Sequence, residues 1–125
     1  MNGSDPSRWL RIVQTGVFLR KWTGLGLDDD DLLALEAEIL KGPERHPIIK
    51  GAGGVRKIRF ARPGEGRGKS GAYRVCYAYF ARRGMVFLLT AYGKTERANL
   101  TRAEQDAIAA VVRGIEGAIE RGDIR

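Results

Sequence analysis

The sequence predicts an α+β domain: a mainly antiparallel sheet of about four strands, with N-terminal helices and a C-terminal helix. The 125 residues are one domain's length of chain, and 43% of them are apolar, which is enough for a single core. Three β-favouring segments follow one another in the middle of the chain, with helical patterns on both sides. Residues 8–125 form one predicted domain, and residues 1–7 are expected to be a disordered or vector-derived leader.

The first third of the chain predicts a strand followed by helical structure. Residues 8–15 mix apolar and polar side chains in a short β-favouring run. Phe18 and Trp22 indicate a short helical or irregular turn. Asp28 to Asp31 are expected to cap a second helix and to interact favourably with its dipole, and Gly42-Pro43 ends it. That helix has apolar residues at helical spacing: Leu32, Leu35, Ile39 and Leu40.

The remaining segments predict three strands and a final helix. Residues 44–54 contain one proline and three glycines, which indicates a loop. Residues 55–61 alternate as a strand does, and a glycine-rich stretch, residues 62–71, ends it. Residues 73–81 and 85–92 are aromatic and β-branched, joined by a hairpin at Arg82-Arg83-Gly84, and the second is apolar enough to be central. Thr101-x-x-Glu104 is a capping box for a helix that ends near Gly122.

The excess positive charge is confined to one fifth of the chain. The sequence has 22 Lys and Arg against 15 Asp and Glu, a net charge of +7. Residues 50–74 contain eight basic residues and one acid, whereas the rest of the chain balances at 14 against 14. This clustering indicates a polyanionic ligand rather than a solvated surface with no dedicated partner.

Several function classes are disfavoured by the sequence. The longest apolar run, Met85 to Leu89, is too short to span a membrane, and no export signal is evident. One cysteine, Cys76, fits a reducing cytoplasm and is expected in the core. Residues 63–70 resemble a P-loop, but Pro63 occupies the first glycine position and a strand follows. His46, the only histidine, is expected to be a solvent-exposed loop residue, and no metal site or cofactor is predicted.

Basic and aromatic residues interleave through the predicted sheet, which favours RNA as the ligand. Cations bind phosphates, and unpaired bases stack on aromatic rings. Neither clear helix contains the basic cluster, so reading of duplex DNA by a helix is poorly supported. Tyr77 and Tyr79 could equally be ordinary sheet packing. Tyr92 differs, because it ends an apolar strand immediately before Gly93-Lys94, at a sheet edge where functional groups commonly emerge. The candidate RNA-contacting residues are Arg56, Lys57, Arg59, Arg67, Lys69, Arg74, Tyr77, Tyr79, Tyr92 and Lys94.

Three segments in register resemble the RelE superfamily of toxins from bacterial toxin-antitoxin pairs, and HigB-type members most closely. They are GGVRKIR at residues 53–59, GKSGAYRV at 68–75 and LLTAYGKTE at 88–96, followed by Leu100 at the start of the last helix. The likeness extends over roughly residues 8–119. Some RelE proteins have an arginine just after the Gly-Lys of the last strand and a tyrosine near the last helix. Here those places are Thr95 and Thr101, so Tyr92 with Lys94 is the substitute pair.

The resemblance implies a RelE-like fold and a cytoplasmic, ribosome-dependent mRNA endonuclease that inhibits translation. It further implies a cognate antitoxin, of helix-turn-helix or HigA-like type, through which alone operator DNA is bound. Basic residues on the concave face of the family's sheet correspond to Lys57, Arg59, Arg67, Lys69 and Arg74. The alternatives are a ParE-like gyrase poison and a non-catalytic RNA-binding or ribosome-binding module.

A chemical hypothesis follows for cleavage by the 2′-OH of the RNA itself. The reaction needs a proton acceptor, a proton donor and cations at the phosphate. Lys57 or Lys69 is the expected acceptor, because neighbouring arginines disfavour a protonated lysine. Arg59 and Arg74 are expected to hold the phosphate, and Tyr92 to stack on a base or assist proton transfer. The predicted catalytic set is therefore Lys57, Arg59, Lys69, Arg74 and Tyr92.

Overall fold

A computed structural model describes residues 10–64, 72–95 and 99–124 of the protein. The helices and strands follow the predicted order. They are β1 (Arg11–Gln14), α1 (Gly16–Gly24), α2 (Asp29–Leu40), β2 (Arg56–Phe60), β3 (Tyr73–Phe80), β4 (Met85–Gly93) and α3 (Arg102–Glu120). The turn around Phe18 and Trp22 is a nine-residue helix, and the β3–β4 connection is a 3₁₀ turn that ends at Gly84 with φ 62°.

The four strands form one sheet in the order β1-β4-β3-β2. β2 pairs with β3 and β3 with β4 in antiparallel fashion, whereas β1 runs parallel to β4. The central position predicted for β4 is confirmed, since β1 and β3 flank it and nearly all its residues are buried. The predicted mainly antiparallel α+β fold is therefore correct.

Helices cover both faces of the sheet. α1 and α2 supply Phe18, Trp22 and Ile39 to one core, where they pack with Ile58 and Tyr77 of the sheet. We call this side the α1/α2 face. A second core on the opposite side joins α3 to the sheet, which we call the α3 face. It contains Val55, Cys76, Phe87, Tyr92 and Val112, among others. The expected core position of Cys76 is thus confirmed.

Capping side chains define where α2 and α3 begin. Asp28 accepts a hydrogen bond from the backbone N–H of Asp31, and the Asp31 carboxylate accepts one from the backbone N–H of Asp28. Thr101 and Glu104 form the same reciprocal pair at the start of α3. Each pair satisfies two backbone donors that the first helical turn leaves unpaired. Both capping predictions are therefore confirmed.

A β-bulge in β4 sets which side chains face α3. Cys76 pairs with Thr90 but its neighbour Tyr77 pairs with Leu88, so Leu89 is an extra residue on β4. Phe87 and Leu89 pack in the α3-face core, and Tyr92 packs there too, although strict alternation from Phe87 would place it on the other face. The bulge therefore brings Tyr92 to the α3 side of the sheet.

Candidate nucleic-acid interface

Three of the predicted site residues form one row across the sheet. Arg59 of β2 lies opposite Arg74 of β3, and Arg74 lies opposite Tyr92 of β4. Directly opposed residues on antiparallel strands project to the same face, with Cβ atoms about 4.5–5.5 Å apart. Because Tyr92 belongs to the α3-face core, the row lies on that face. Two guanidinium-bearing residues are therefore neighbours on one surface.

A cleft of about 640 Å³ opens beside this row, between β2, the preceding loop and the start of α3. Lys57 projects into it next to Arg59, and Tyr92 forms part of its floor. The Lys57 ammonium donates a hydrogen bond to the Asn99 Oδ1 at 3.2 Å, and its backbone N–H donates to the Pro47 carbonyl at 2.9 Å. The lining residues are His46, Pro47, Ile48, Ile49, Lys50, Lys57, Arg59, Tyr92, Asn99, Leu100 and Gln105.

The solvent exposure of the row decreases from Arg59 on β2 to Tyr92 on β4. Arg59 is exposed, Arg74 is 9% exposed and Tyr92 only 1%. The Arg74 Nη1 donates a hydrogen bond to the Tyr73 carbonyl at 3.2 Å, which holds its side chain along the strand. Tyr92 has no ring face on which a base could stack, so the stacking expected of it does not fit this geometry. A ligand would meet Arg59 and Lys57 first.

Arg56, Tyr77 and Tyr79 lie on the α1/α2 side of the sheet, away from the cleft row. Tyr77 is fully buried, and its hydroxyl donates to the Pro43 carbonyl at 2.6 Å. Burial raises the pKa of Tyr77 to about 12. Tyr79 packs against the same core, and Arg56 Nη1 donates to the Glu44 and His46 carbonyls. The sequence prediction grouped these three with the cleft residues, and the structure does not.

Arg62, one of the eight clustered basic residues, serves α2 instead of a ligand. It donates to the Asp31 carboxylate at 2.9 Å and to the Gly26 carbonyl at 2.8 Å. Burial pushes the pKa of Asp31 upward, but hydrogen bonds from Asp28 and Arg62 outweigh it, so the pKa lies below its usual value. The same contacts raise the pKa of Arg62. This cation therefore stabilises the fold.

The other predicted positions lie at the edge of the described structure or outside it. Arg67 and Lys69 fall outside the described residues. Lys94 and Thr95 are exposed just after β4, where the Lys94 N–H donates to the Ala72 carbonyl at 2.9 Å. Thr101 is the N-cap of α3, so its side chain has a structural role.

The structure adds three residues that the sequence analysis did not connect with the site. His46 lines the cleft in the loop before β2 and is partly buried, with its ring edge-on to Tyr77 at 6.3 Å, so it is less exposed than expected. Burial lowers the pKa of His46, and Arg45 and Arg56 add to that effect. Asn99 and Gln105 also line the cleft. No sequence motif marked them, because their place depends on how α3 packs.

The described cleft can bind phosphate and hydrogen-bond to polar groups without a metal. Lysine and arginine supply charge-assisted donors, and Asn99 and Gln105 supply carboxamides. Among residues 10–64, 72–95 and 99–124, no group of three His, Cys, Asp or Glu side chains is arranged to hold a metal ion. None of the helices described is long and apolar enough to cross a bilayer.

Comparison with known proteins agrees with this architecture. Residues 10–121 match the family model described as the RelE toxin of the RelE/RelB toxin-antitoxin system. The free-state structure of a double arginine-to-alanine mutant of Escherichia coli toxin RelE is similar, with 22% identity, a TM-score of 0.50, and coverage of 83% of this chain and 96% of that one.

Two further solved structures give lower scores. The isolated E. coli RelE toxin has 18% identity and a TM-score of 0.48, over 82% of this chain and 98% of that chain. A conserved hypothetical protein from Helicobacter pylori has 18% identity and a TM-score of 0.46, over 70% and 97%. The match to the family model spans nearly the whole chain, and on that ground the protein belongs to the RelE toxin family.

Proposed function

We propose that this toxin is a ribosome-dependent mRNA endonuclease that inhibits translation, of the HigB type within the RelE family. The observation that supports this most strongly is the arrangement of Arg59, Arg74 and Lys57 on one face beside an open cleft. Cations on neighbouring strands can bind one phosphate from two directions, which a scattered basic surface cannot. In this proposal, the role of the clustered cations is to bind the phosphate of the RNA.

The proposed reaction uses the 2′-OH of the RNA as the nucleophile. Lys57, in its neutral form, accepts the 2′-OH proton while that oxygen bonds to phosphorus and the bond from phosphorus to the 5′-oxygen breaks. Arg59 and Arg74 stabilise the charge on the crowded phosphate. The 5′-oxygen leaves with a proton from water, and the products are a 2′,3′-cyclic phosphate and a 5′-hydroxyl. Tyr92, at the cleft floor, supports Arg74 from β4.

The partners in this proposal follow from the family. A RelE toxin has a cognate antitoxin, and we place a helix-turn-helix, HigA-like protein in that role. Operator DNA is then bound through the antitoxin alone. The ribosome supplies the orientation that a site without a paired histidine lacks, because it fixes the message relative to Lys57. Because its proposed substrate, mRNA on the ribosome, is in the cytoplasm, we propose that the protein acts there together with its antitoxin.

Two other functions make different predictions. A ParE-like gyrase poison would leave cellular messages intact, and the cations at the cleft argue against it. A non-catalytic RNA-binding or ribosome-binding module would use the same cations but produce no new RNA ends. Message integrity therefore separates the three.

Inducible expression with mapping of cellular mRNA ends tests the proposal. We expect new message ends and growth arrest within minutes of induction of the wild type. Arg74→Ala and the exposed Arg59→Ala should each lower cleavage about 10²-fold or more, as expected on loss of a transition-state cation. Arg113→Ala, an exposed arginine on α3 outside the cleft, is the charge-matched control and should act like wild type. Growth arrest with intact messages would reject the endonuclease.

A further inference from the structure

The loop between α2 and β2 forms one side of the cleft. We call residues 43–49 the cleft wall, because most of them line the cleft. Two backbone hydrogen bonds join the wall to the outer edge of β2. The Lys57 N–H donates to the Pro47 carbonyl at 2.9 Å, and the Ile49 N–H donates to the Val55 carbonyl at 2.7 Å. The wall is therefore attached to the strand that contains Lys57.

Two side chains hold the cleft wall from the α1/α2 face of the sheet. Arg56 and Tyr77 lie directly opposite each other on β2 and β3, so they project to the same face. The Tyr77 hydroxyl donates to the Pro43 carbonyl at 2.6 Å. The Arg56 Nη1 donates to the Glu44 and His46 carbonyls, each at 2.9 Å. We call Arg56 and Tyr77 the clamp, since together they bond to three carbonyls of the wall.

The strength of the clamp matters because the wall lies in a long connection. Residues 41–55 join α2 to β2 without forming a helix or a strand. Long connections of this kind adopt several conformations unless contacts hold them. The guanidinium of Arg56 is a charged donor, and charge-assisted hydrogen bonds are roughly twice as strong as neutral ones. The hydroxyl of Tyr77 belongs to a fully buried side chain, where a hydrogen bond is electrostatically stronger than in water.

The clamp is placed to act through the wall. Tyr77 is 0% exposed, and Arg56 projects to the side of the sheet away from the cleft row. The wall, by contrast, faces Lys57 and Arg59 across the cleft. A displacement of about 1 Å far from the reacting atoms can slow catalysis about 10²-fold. The position of the wall relative to Lys57 therefore affects how RNA is oriented for cleavage.

We infer that Arg56 and Tyr77 are positioning residues: they hold the cleft wall at the distance from Lys57 that cleavage requires, and they do so without contacting RNA. This inference rests on the proposed function in one respect, since it takes cleavage of RNA beside Lys57 as the reaction. It assigns a role in that reaction to two residues that lie outside the cleft.

Tyr77→Phe tests the inference without changing any charge. The substitution removes one hydroxyl and leaves the Pro43 carbonyl without that donor. We expect the single-turnover cleavage rate of ribosome-bound message to fall about tenfold. Tyr73→Phe, the same change on β3 against the same core, is the control and should cut like wild type. A wild-type rate in Tyr77→Phe would overturn the inference.

Arg56→Met separates positioning from direct contact with RNA. Methionine keeps an unbranched stem but lacks the guanidinium, so the cleavage rate should again fall about tenfold. The slope of log RNA affinity against log salt should stay unchanged, because Arg56 neutralises no phosphate in this account. Arg62→Met is the matched control, since Arg62 bonds to Asp31 and the Gly26 carbonyl, and its folded form should cut like wild type. A slope reduced by about 0.7 in Arg56→Met would make Arg56 an RNA contact and reject the inference.

Amide hydrogen exchange measures the clamp without any cleavage. The Lys57 and Ile49 N–H groups report whether the wall stays on β2. We expect both to exchange about tenfold faster in Arg56→Met and Tyr77→Phe, and at the wild-type rate in Arg62→Met. If the wild type cuts no message but exchange accelerates in this way, the clamp stands and the endonuclease is rejected. If the wild type cuts and exchange does not change, cleavage stands and the positioning role is rejected.

Discussion

Lys57 has the most demanding chemical role in the proposed reaction, because it must lose its proton before it can accept another. Its ammonium donates a hydrogen bond to the Oδ1 of Asn99, a neutral amide. An amide orients the side chain without adding a negative charge that would favour the protonated form. The contact is therefore compatible with a base.

Replacement of Lys57 by arginine tests whether Lys57 acts as a proton acceptor or only through its positive charge. Arginine keeps the positive charge but does not deprotonate in proteins. We expect Lys57→Arg to lower the cleavage rate about 10²-fold or more, the usual contribution of a general base, with RNA affinity retained. Single-turnover cleavage of ribosome-bound message measures this, with Lys21→Arg on the exposed surface of α1 as the control. A wild-type rate in Lys57→Arg would show that Lys57 acts only through its charge.

Some residues of the candidate site could be predicted from the sequence, and others could not. Lys57 and Arg59 were found because they alternate with Ile58 and Phe60 on a short strand, and the alternation assigns them to one face. Tyr77 has the same interleaved pattern, yet its hydroxyl is bonded to the Pro43 carbonyl inside the core. Residue type and spacing do not reveal such a long-range partner, so basic-aromatic interleaving assigned to the candidate site a residue that is buried in the core.

At the level of elements, the β4 bulge explains why Tyr92 belongs to the α3 face. Strand alternation has a period of two, and one extra residue inverts the facing of everything after it. The local sequence around Leu89 and Thr90 contains no glycine or proline to mark the bulge. Capping boxes, by contrast, were predicted because donor and acceptor lie three residues apart in the sequence. Features that depend on nearby residues could therefore be predicted from the sequence, whereas the pairing between distant strands could not.

The loop before β2 forms one wall of the cleft, and Gly53 holds it against α3. Its φ is +73°, and a Cβ there would be 3.3 Å from the Cα of Ala109. Gly54 has φ +90° with open space around it. We expect both alanine variants to be strained by about 1–2 kcal/mol and Gly53→Ala to lose more unfolding free energy than Gly54→Ala. Urea denaturation measures the difference, and equal losses would contradict the close packing described.

The contact between Arg62 and Asp31 links the end of β2 to the start of α2. The Asp31 side chain is only 7% exposed, so loss of Arg62 leaves a buried carboxylate with fewer donors. We expect Arg62→Ala to lower the unfolding free energy, because the Asp31 carboxylate then loses its guanidinium donors. Lys41→Ala, which breaks an ion pair in which both side chains are more than half exposed, should change it by less than about 1 kcal/mol.

The pH dependence of the same pair has a defined sign. The pKa of Asp31 is lower in the folded protein than in the unfolded chain, so its contribution is complete above the unfolded value. It is lost as the pH falls through the folded value. The difference in unfolding free energy between wild type and Arg62→Ala should therefore shrink in acid. A difference that is constant from pH 7 to pH 3 would refute the role given to Arg62.

At the level of the whole molecule, the net charge of +7 overstates the charge available to a ligand. Arg56 and Arg62 bond to backbone carbonyls and to Asp31, on the side of the sheet away from the cleft. Lys50, Lys57 and Arg59 line the cleft, and Arg74 continues the row. The charge distribution thus indicates a polyanionic ligand, although Arg56 and Arg62 contact the protein itself.

The salt dependence of RNA binding reports how many of these cations meet phosphates. For single-stranded RNA, the slope of log affinity against log salt is about −0.7 for each neutralised phosphate. We expect Arg59→Ala to reduce the magnitude of the slope by about 0.7, and Arg113→Ala to leave it unchanged. Fluorescence anisotropy with a labelled single-stranded RNA measures both. An unchanged slope in Arg59→Ala would remove Arg59 from the interface.

In the proposed function, a cationic face built from β2, β3 and β4 holds and cuts a message presented by the ribosome. Its most direct test is cleavage of a defined mRNA on programmed ribosomes by the purified toxin. We expect rapid cutting of ribosome-bound message, little cutting of the same RNA when free, and a loss of about 10²-fold or more in the cleavage rate of the Arg59→Ala and Arg74→Ala variants. Uncut message, or equal cutting by these variants and wild type, would contradict it.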